Sequence, residues 1–105
     1  MTGKRVRTRV TAEAELQEAI AHYVSEGAPD AALRLIDEFE QALRTLGEHP
    51  AIGSAWLEAE LGIPGVRSLA LRVFPYVIVY FDTQEFVDVR HVLHSARDIP
   101  RRLAE

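Results

Sequence analysis

Residues 91–98, with the sequence HVLHSARD, carry a dense set of side chains that can move protons or hold an anion. Two histidines, an arginine and an aspartate lie here at the end of an apolar run of strand character. Histidine is the usual general acid or base near neutral pH, and two histidines can also hold a metal ion. The segment is therefore either a catalytic site or the end of a strand followed by a capped turn.

Spacing limits what the two histidines can do together. His91 and His94 are three residues apart, and side chains alternate between the faces of a strand, so we expect them on opposite faces. They then cannot form one acid–base pair or a two-histidine metal site. Arg90 and His94 are expected to share a face, and Arg97 can curl back to them. In the structural alternative, His94 ends the strand with a hydrogen bond to backbone and Asp98 caps a final turn.

Composition excludes several other kinds of site. The chain has 105 residues, so we expect one domain over residues 1–105, and without cysteine it has neither disulfides nor thiolate chemistry. It has no Gly-rich phosphate loop, Ser/His/Asp arrangement or metal-ligand spacing, so no cofactor and no metal are expected. No apolar run approaches the roughly 18 residues that span a bilayer. The charged N-terminus also lacks the apolar segment of a signal peptide. These features predict a cytoplasmic location without membrane attachment.

The charges are divided between two parts of the chain. Residues 11–60 carry eleven acidic and two basic residues, a net charge of −9, and the remaining residues carry ten basic and five acidic ones, a net charge of +5. Nucleic-acid-binding domains are usually basic as a whole, because neutralised phosphates supply most of their affinity. The net charge of −4 therefore predicts no direct nucleic-acid binding. The basic part can still meet an acidic protein surface.

The first half of the chain has the patterns of one strand and two helices. Residues 4–10 alternate arginine with Val or Thr, which is typical of a half-exposed strand. Thr11 is expected to cap a first helix that ends near Gly27, and Pro29 begins a second helix that ends at Gly47. Both helices carry an apolar stripe with a repeat of 3.6 residues, as a core-facing helix needs. The short link between them predicts an antiparallel hairpin.

The second half has the shorter period of strands. Residues 51–65 contain three glycines and a proline and are expected to form an ordered loop, packed down by Trp56. Strands are predicted at residues 66–73, 76–81 and 86–94, and the middle one is apolar on both faces, which marks a central strand. The expected fold is α+β, a small antiparallel sheet with the helical hairpin packed on one face, in the order β-α-α-β-β-β.

Three segments of this sequence resemble a known family of small bacterial proteins. They are HPAIGSAW at residues 49–56, GVRSLALRVFPYVIVY at residues 65–80 and VLHSARDIPRRL at residues 92–103. In this order, and with these predicted elements, they resemble the RelE/ParE superfamily of toxins from toxin–antitoxin systems, and specifically its ParE-like, plasmid-stabilisation branch. The resemblance covers nearly the whole chain and implies the α+β fold of that superfamily.

The resemblance implies different activities for the two branches. RelE-like members are ribosome-dependent ribonucleases that cleave messenger RNA, whereas ParE-like members inhibit DNA gyrase by protein contact. The RelE-like pattern has an arginine one residue after Tyr76, where this chain has Val77, and a tail tyrosine that this chain lacks. No catalytic residues are therefore expected. The alternative, a ribonuclease, needs cations beside the developing phosphorane charge and a group that moves protons. The candidates for such a cluster are Arg72, Arg90, His94 and Arg97.

The ParE-like branch also implies a partner and a target. The expected partner is a cognate antitoxin of the ParD-like, ribbon-helix-helix type, and the expected target is DNA gyrase. An antitoxin helix or strand is expected to cover the sheet face left open by the helices, which carries either Ile78 and Tyr80 or Val77 and Val79. An inactive member that only binds antitoxin is a further alternative. The basic residues expected at the target contact are Arg90, Arg97, Arg101 and Arg102.

Overall fold

The computed structural model describes residues 3–98 and shows a helical hairpin packed on a four-stranded sheet. The helices are α1 (Val10–Ser25), α2 (Pro29–Glu48) and α3 (Trp56–Leu61), with a 3-10 turn at Pro50–Ile52. The strands are β1 (Arg5–Thr8), β2 (Val66–Ala70), β3 (Tyr76–Asp82) and β4 (Phe86–His94). Along the chain they follow as β1, α1, α2, α3, β2, β3 and β4. The α+β class predicted from the sequence is confirmed, with α3 as an additional short helix.

The strands lie side by side in the order β1-β4-β3-β2. β2, β3 and β4 form the predicted antiparallel meander, with β3 in the interior of the sheet. β1 instead pairs in parallel with β4, with Val6 opposite Val87 and Thr8 opposite Val89. A parallel pair needs a long crossover, which the chain between these two strands supplies. The sheet is therefore mixed, and the expectation of a wholly antiparallel sheet is wrong.

The main core lies between the hairpin and the sheet. Small residues, Ala12 and Ala19, are the buried residues of α1, so this helix approaches the sheet closely. Complete burial of an aliphatic side chain contributes about 1.5–3 kcal/mol to folding. None of the helices within residues 3–98 is long and apolar enough to cross a membrane. The largest fully buried side chains are those of Tyr80, Leu35, Leu46, Ile78, Val87 and Val89.

Two glycines near the ends of the hairpin helices have different roles. Gly27 follows α1 with a φ of +76°, and the N–H groups of Gly27 and Ala28 donate to carbonyls of the last turn at 3.0 and 2.9 Å, so this end is as predicted. Gly47 lies inside α2, which corrects the prediction that it ends the helix. A Cβ at Gly47 would lie 3.0 Å from the carbonyl oxygen of Lys4. Glycine therefore allows the chain before β1 to cross the end of α2.

The first helix begins earlier than predicted. Its N-cap residue is Arg9, whose carbonyl accepts a hydrogen bond from the N–H of Glu13 at 3.0 Å, so the prediction of Thr11 as the cap is wrong. The N–H of Arg9 donates to the carbonyl of Val89 at 3.0 Å. Strand pairing thus continues to the residue before the helix and leaves no room for a separate capping turn. Val10, expected on the inward face of the strand, is the first helical residue and is 82% exposed.

Residues 50–65 are more ordered than a loop. Besides the 3-10 turn and α3, the segment has a backbone bridge between Ser54 and Ser68 at the outer edge of β2, with hydrogen bonds of 2.7 and 3.0 Å. The prediction that Trp56 packs the segment down is wrong, since this residue is 43% exposed. Leu57, 3% exposed, anchors α3 against the sheet face opposite the hairpin.

Tyr80 fastens the 3-10 turn to the sheet. Its hydroxyl donates to the carbonyl of Pro50 at 2.7 Å and accepts from the N–H of Gly53 at 2.9 Å. A Cβ at Gly53 would lie 2.5 Å from that hydroxyl oxygen, so only glycine fits here. Burial raises the pKa of the Tyr80 phenol, against the lowering effect of the Gly53 hydrogen bond. The phenol therefore stays protonated and keeps its role as a donor.

The hairpin between β2 and β3 is wider than predicted. β2 ends at Ala70, although the N–H of Leu71 still donates to the carbonyl of Tyr76 at 2.9 Å. Leu71 and Phe74 turn into the main core. Val73, which lies within the strand predicted at residues 66–73, is exposed in the turn between them.

The sheet face opposite the hairpin carries a smaller cluster. The sequence left open which apolar pair of β3 faces outward, and the structure assigns Ile78 and Tyr80 to the main core. Val77 and Val79 belong to the smaller cluster with Leu57, and each is 7% exposed. Little of this apolar surface is therefore left for a partner.

Candidate protein-contact site

A β-bulge in β4 sets the direction of its functional side chains. Pairing with β3 passes from Val89 directly to His91, so Arg90 is an extra residue without a partner on β3. A bulge of this kind interrupts the regular alternation of side chains along a strand. Arg90 consequently lies on the face opposite the hairpin and His94 on the hairpin side, and the prediction that they share a face is wrong.

Asp88 is a buried carboxylate held between two arginines. The residue is 2% exposed, and its carboxylate accepts two hydrogen bonds of 3.0 Å from Arg9 and one of 2.8 Å from Arg90. The guanidinium of Arg90 also stacks over the ring of Phe81, 4.4 Å from its centroid. The hydrogen bonds, with that from Arg9 the strongest influence, hold the pKa of Asp88 below its ordinary value against the effect of burial. The charged carboxylate thus fixes both arginines beside the bulge.

His94 satisfies backbone groups where β4 ends. Its Nδ1 accepts hydrogen bonds from the N–H groups of Ala96 at 3.2 Å and Arg97 at 3.1 Å, and its ring packs edge-on against Tyr76 with centroids 5.3 Å apart. Its own N–H donates to Asp98 Oδ2 at 2.8 Å. The predicted hydrogen bond between His94 and backbone at the strand end is therefore confirmed. The capping of a later turn by Asp98 lies outside the described residues.

The two histidines lie on opposite faces, as predicted. His91 pairs with Val79 of the smaller cluster, whereas His94 pairs with Tyr76 of the main core. In the part of the chain that the structure describes, no group of three or more His, Asp or Glu side chains is placed to hold a metal ion. The arrangement therefore brings the histidines into two different environments.

Glu15 of α1 lies at the edge of β4 beyond the end of β1. Its Oε1 accepts a hydrogen bond of 2.8 Å from the N–H of Val92, and its Oε2 lies 3.2 Å from Nδ1 of His91. β1 pairs with β4 only as far as Val89, so the carboxylate takes the place of a strand partner over the next residues. This contact ties α1 to the sheet edge.

A cleft of about 330 Å³ lies between α1 and the end of β4. Its lining includes Glu18 and His22 from the helix and Tyr76 and Arg97 from the sheet side. Burial raises the pKa of the Tyr76 phenol, and Arg97 acts in the opposite direction. Arg97 is itself ion-paired with Asp98 at 3.3 Å. The cleft thus offers charges of both signs, which suits polar side chains of a partner protein.

The candidate nuclease residues are only partly brought together. His94 and Arg97 share the strand end, whereas Arg90 lies on the other face of the sheet. Arg72 lies in the turn after β2, where its backbone N–H donates to a carboxylate oxygen of Glu38 on α2. Arg90 is therefore separated by the sheet from His94 and Arg97.

The structure describes two of the four arginines expected at a target contact. The side chain of Arg90 is 43% exposed and that of Arg97 is 57% exposed, and they lie at different places on the surface. Arg101 and Arg102 lie outside the described residues. Arg90 and Arg97 can thus meet a partner with their guanidinium groups.

Two residues with clear structural roles, Asp88 and Glu15, were missed by sequence reasoning. The position of Asp88 between Val87 and Val89 carried a signal, because an acid inside an apolar strand is expected to be buried and then needs a cationic partner. Arg9 was available for that role. Glu15 carried no such signal, since it is one of several acids on an acidic helix.

Comparisons with known proteins agree with this fold. The family described as "ParE toxin of type II toxin-antitoxin system, parDE" matches residues 6–99. The protein "Putative toxin Y4kP" of Sinorhizobium fredii (strain NBRC 101917 / NGR234) is 32% identical over 103 residues, which is 98% of this chain and 100% of that protein. A chain of the solved "Chromosomal ParDE TA system from P. aeruginosa" has a TM-score of 0.74 at 19% identity, covering 90% of this chain and 98% of that chain. The chain therefore belongs to the ParE toxin family of type II toxin–antitoxin systems.

Proposed function

We propose that this toxin inhibits DNA gyrase by protein contact in the cytoplasm and is neutralised by a cognate antitoxin. The proposal rests on the hydrogen bonds that His94 forms. Its Nδ1 already accepts two backbone hydrogen bonds, and its backbone N–H is bound by Asp98. The side chain best suited to proton transfer thus holds the end of β4 together, which argues against a nuclease.

The positions of the cations support the same conclusion. Cleavage of RNA requires positive groups that converge on one phosphate, where the charge of the transition state develops. Arg90 lies on the sheet face opposite the hairpin, whereas Arg97 lies beside His94 at the cleft that borders α1. Dispersed guanidinium groups suit contact with a large protein surface better than catalysis at one atom.

The target contact is proposed to include Arg90 and Arg97, together with Arg101 and Arg102. Exposed charges contribute only about 0–1 kcal/mol each to folding, but at an interface they change the rate of encounter and the affinity. Arg90 is oriented by Asp88, and Arg97 is exposed beside the cleft at the end of β4. These residues therefore serve recognition at little cost to folding.

The antitoxin is proposed to cover the apolar surface of residues 50–65. Val77 and Val79, on the sheet face where the antitoxin was expected, are almost buried within the chain. Exposed large apolar residues instead occur around α3, and such a surface suits the apolar face of a partner helix. They are Ile52, Trp56, Leu61 and Ile63.

Pulse labelling in a bacterial host tests the proposed activity. After induction, incorporation of labelled thymidine should fall before that of leucine, because gyrase inhibition blocks DNA replication first. Co-expression of the antitoxin should restore both. The Arg97→Ala variant should be less toxic than Arg34→Ala, a matched loss of one exposed arginine on α2. An early fall in leucine incorporation with cut messenger RNA would instead support the ribonuclease, and unchanged growth would support an inactive family member.

Fluorescence tests the proposed antitoxin surface. Trp56 is the single tryptophan of the chain, so with an antitoxin lacking tryptophan its emission reports on this surface alone. Binding should shift the emission to shorter wavelength as water is excluded from the indole. Stoichiometric binding without any shift would place the antitoxin elsewhere.

A further inference from the structure

Four arginines form a row on the sheet face opposite the helical hairpin. Arg5 and Arg7 alternate along β1, Arg9 follows at its end, and Arg90 lies beside them on β4. Alternate residues of a strand are about 6.6 Å apart, so the distance from the first to the third arginine is about 13 Å. The row is therefore a straight line of cations across the edge of the sheet.

Two shallow grooves run along this arginine row. One of about 370 Å³ includes Arg7, Arg9 and Phe86 in its lining. The other, of about 350 Å³, is lined by Arg5, Arg7, Glu85 and Phe86. Because both contain Arg7 and Phe86, the grooves adjoin each other, and an extended ligand can follow them past at least three of the arginines.

The charge of the row is only partly cancelled by its neighbours. Arg9 and Arg90 share the single carboxylate of Asp88, whereas within residues 3–98 neither Arg5 nor Arg7 forms an ion pair. Four guanidinium groups and the carboxylate of Asp88 leave a charge of +3 on the row, and Glu85 beside the second groove lowers it to +2. The acidic helices α1 and α2 pack on the other face of the sheet. The protein is thus acidic on one side and basic at this edge.

The aromatic rings beside the row favour a charged backbone over a protein as the ligand. Arg7 lies over the ring of Phe86, 4.8 Å from its centroid, and Arg90 covers Phe81. Protein partners usually bind through apolar anchors in pockets, and here guanidinium groups cover these rings. Arg90 already donates its Nε–H to Asp88, whereas Arg7 forms no ion pair within residues 3–98 and offers its N–H fork, which matches a phosphate.

We infer that the arginine row binds the phosphate backbone of nucleic acid without reading its sequence. Duplex DNA carries one charge per about 1.7 Å of helix axis, so a row of about 13 Å meets several phosphates. The inference departs from the expectation of no direct nucleic-acid binding, which considered the net charge of the whole chain and not its separation onto two faces. It does not require gyrase to be the target, although Arg90 belongs to both proposed surfaces.

Fluorescence anisotropy with a labelled mixed-sequence duplex of about 30 base pairs tests the inference on the full chain. The slope of log affinity against log salt is about −0.9 per neutralised phosphate, so three phosphates bound by the guanidinium charges that Asp88 leaves unbalanced predict about −2.7. Raising salt from about 50 to about 200 mM should then weaken binding about 40-fold. In the double variant Arg5→Ala/Arg7→Ala the slope should fall to about −0.9 and the loss to about threefold.

Two further variants make the test specific. Arg34→Ala/Arg44→Ala removes the same charge from α2 on the other face and should bind as the wild type does. Glu85→Gln removes the carboxylate from the second groove and should strengthen binding, a gain that misfolding cannot cause. Equal losses in the two double variants, or no binding at about 50 mM salt, would refute the inference. Tighter binding of polyglutamate than of the duplex would also refute it, and would assign the row to an acidic protein.

Discussion

The guanidinium of Arg9 holds the carboxylate of Asp88 through two hydrogen bonds of 3.0 Å. Arg9 is the N-cap residue of α1, and Asp88 lies two residues before the bulged Arg90. The pair therefore joins the start of the helical hairpin to the irregular part of β4. Because Asp88 also binds Arg90, the same contact orients an arginine proposed to meet the target.

Replacing Asp88 by Asn should lower the free energy of unfolding by about 1–2 kcal/mol, because the hydrogen bonds to a charged acceptor are weakened. The effect stays moderate because the arginine partners are about half exposed and solvent screens the pair. Urea denaturation measures it. Asp82→Asn is the matched control, since Asp82 forms a partly exposed ion pair with Lys4 and should change stability by less than about 1 kcal/mol. Equal losses in both variants would contradict the buried role of Asp88.

Stability should fall in acid, and Asp88 should account for part of the fall. Its pKa in the folded protein is below the ordinary value of 3.8, so its contribution is present above that pH and is lost as the pH falls through the folded pKa. The hydrogen bond from His94 and the charge of Arg97 also lower the pKa of Asp98, although burial opposes them. As the pH falls below about 4, the urea midpoint should decline less steeply in Asp88→Asn than in the wild type. The part of the decline that comes from Asp98 should remain. An unchanged decline would exclude Asp88 as a source.

Tyr80→Phe should destabilise the protein more than Tyr76→Phe, although the two substitutions remove the same atom from the same strand. The hydroxyl of Tyr80 binds the carbonyl of Pro50 and the N–H of Gly53, and leaving these groups unpaired costs about 1–3 kcal/mol. The hydroxyl of Tyr76 faces the cleft beside Arg97. Thermal melts of the two variants measure the difference. Equal losses would mean that the 3-10 turn does not depend on this link.

Periodicity was sufficient to predict the strands and the helical hairpin, because an apolar face at spacing 2 or 3.6 must be buried. The same signal was sufficient to identify β3 as an interior strand of the sheet. It failed where one residue changes the register: nothing in the local sequence shows that Arg90 is an extra residue. Gly47 was misread because its close contact with Lys4 comes from a distant part of the chain. The same distinction applies to the site. The role of His94 depends on its neighbours in sequence, whereas that of Asp88 depends on Arg9, which is distant in sequence.

His94→Ala should lower the free energy of unfolding by about 1–3 kcal/mol, because the N–H groups of Ala96 and Arg97 lose their acceptor. Chemical denaturation measures this loss. The protein that remains folded should keep its toxicity at a temperature below the melting transition. A variant with normal stability and no activity would contradict the structural role and favour catalysis.

Replacing Arg97, Arg101 and Arg102 by Ala should relieve toxicity while leaving the melting temperature nearly unchanged. Arg97 contacts His94 through its backbone N–H, which the substitution retains, and its ion pair with Asp98 is exposed. Antitoxin binding should persist because the proposed antitoxin surface lies around α3. Growth curves measure the toxicity and melting curves measure the stability. A pull-down with the antitoxin measures its binding. Full toxicity in this variant would remove these arginines from the target contact.

Inhibition of gyrase by protein contact is tested most directly with purified components. The toxin should be added in parallel to gyrase with relaxed plasmid and to a translating ribosome system with a defined messenger RNA. We expect loss of supercoiling and accumulation of cleaved DNA complexes, with the messenger RNA intact. Ribosome-dependent cuts within codons, abolished by His94→Ala or Arg97→Ala, with supercoiling unaffected, would contradict it.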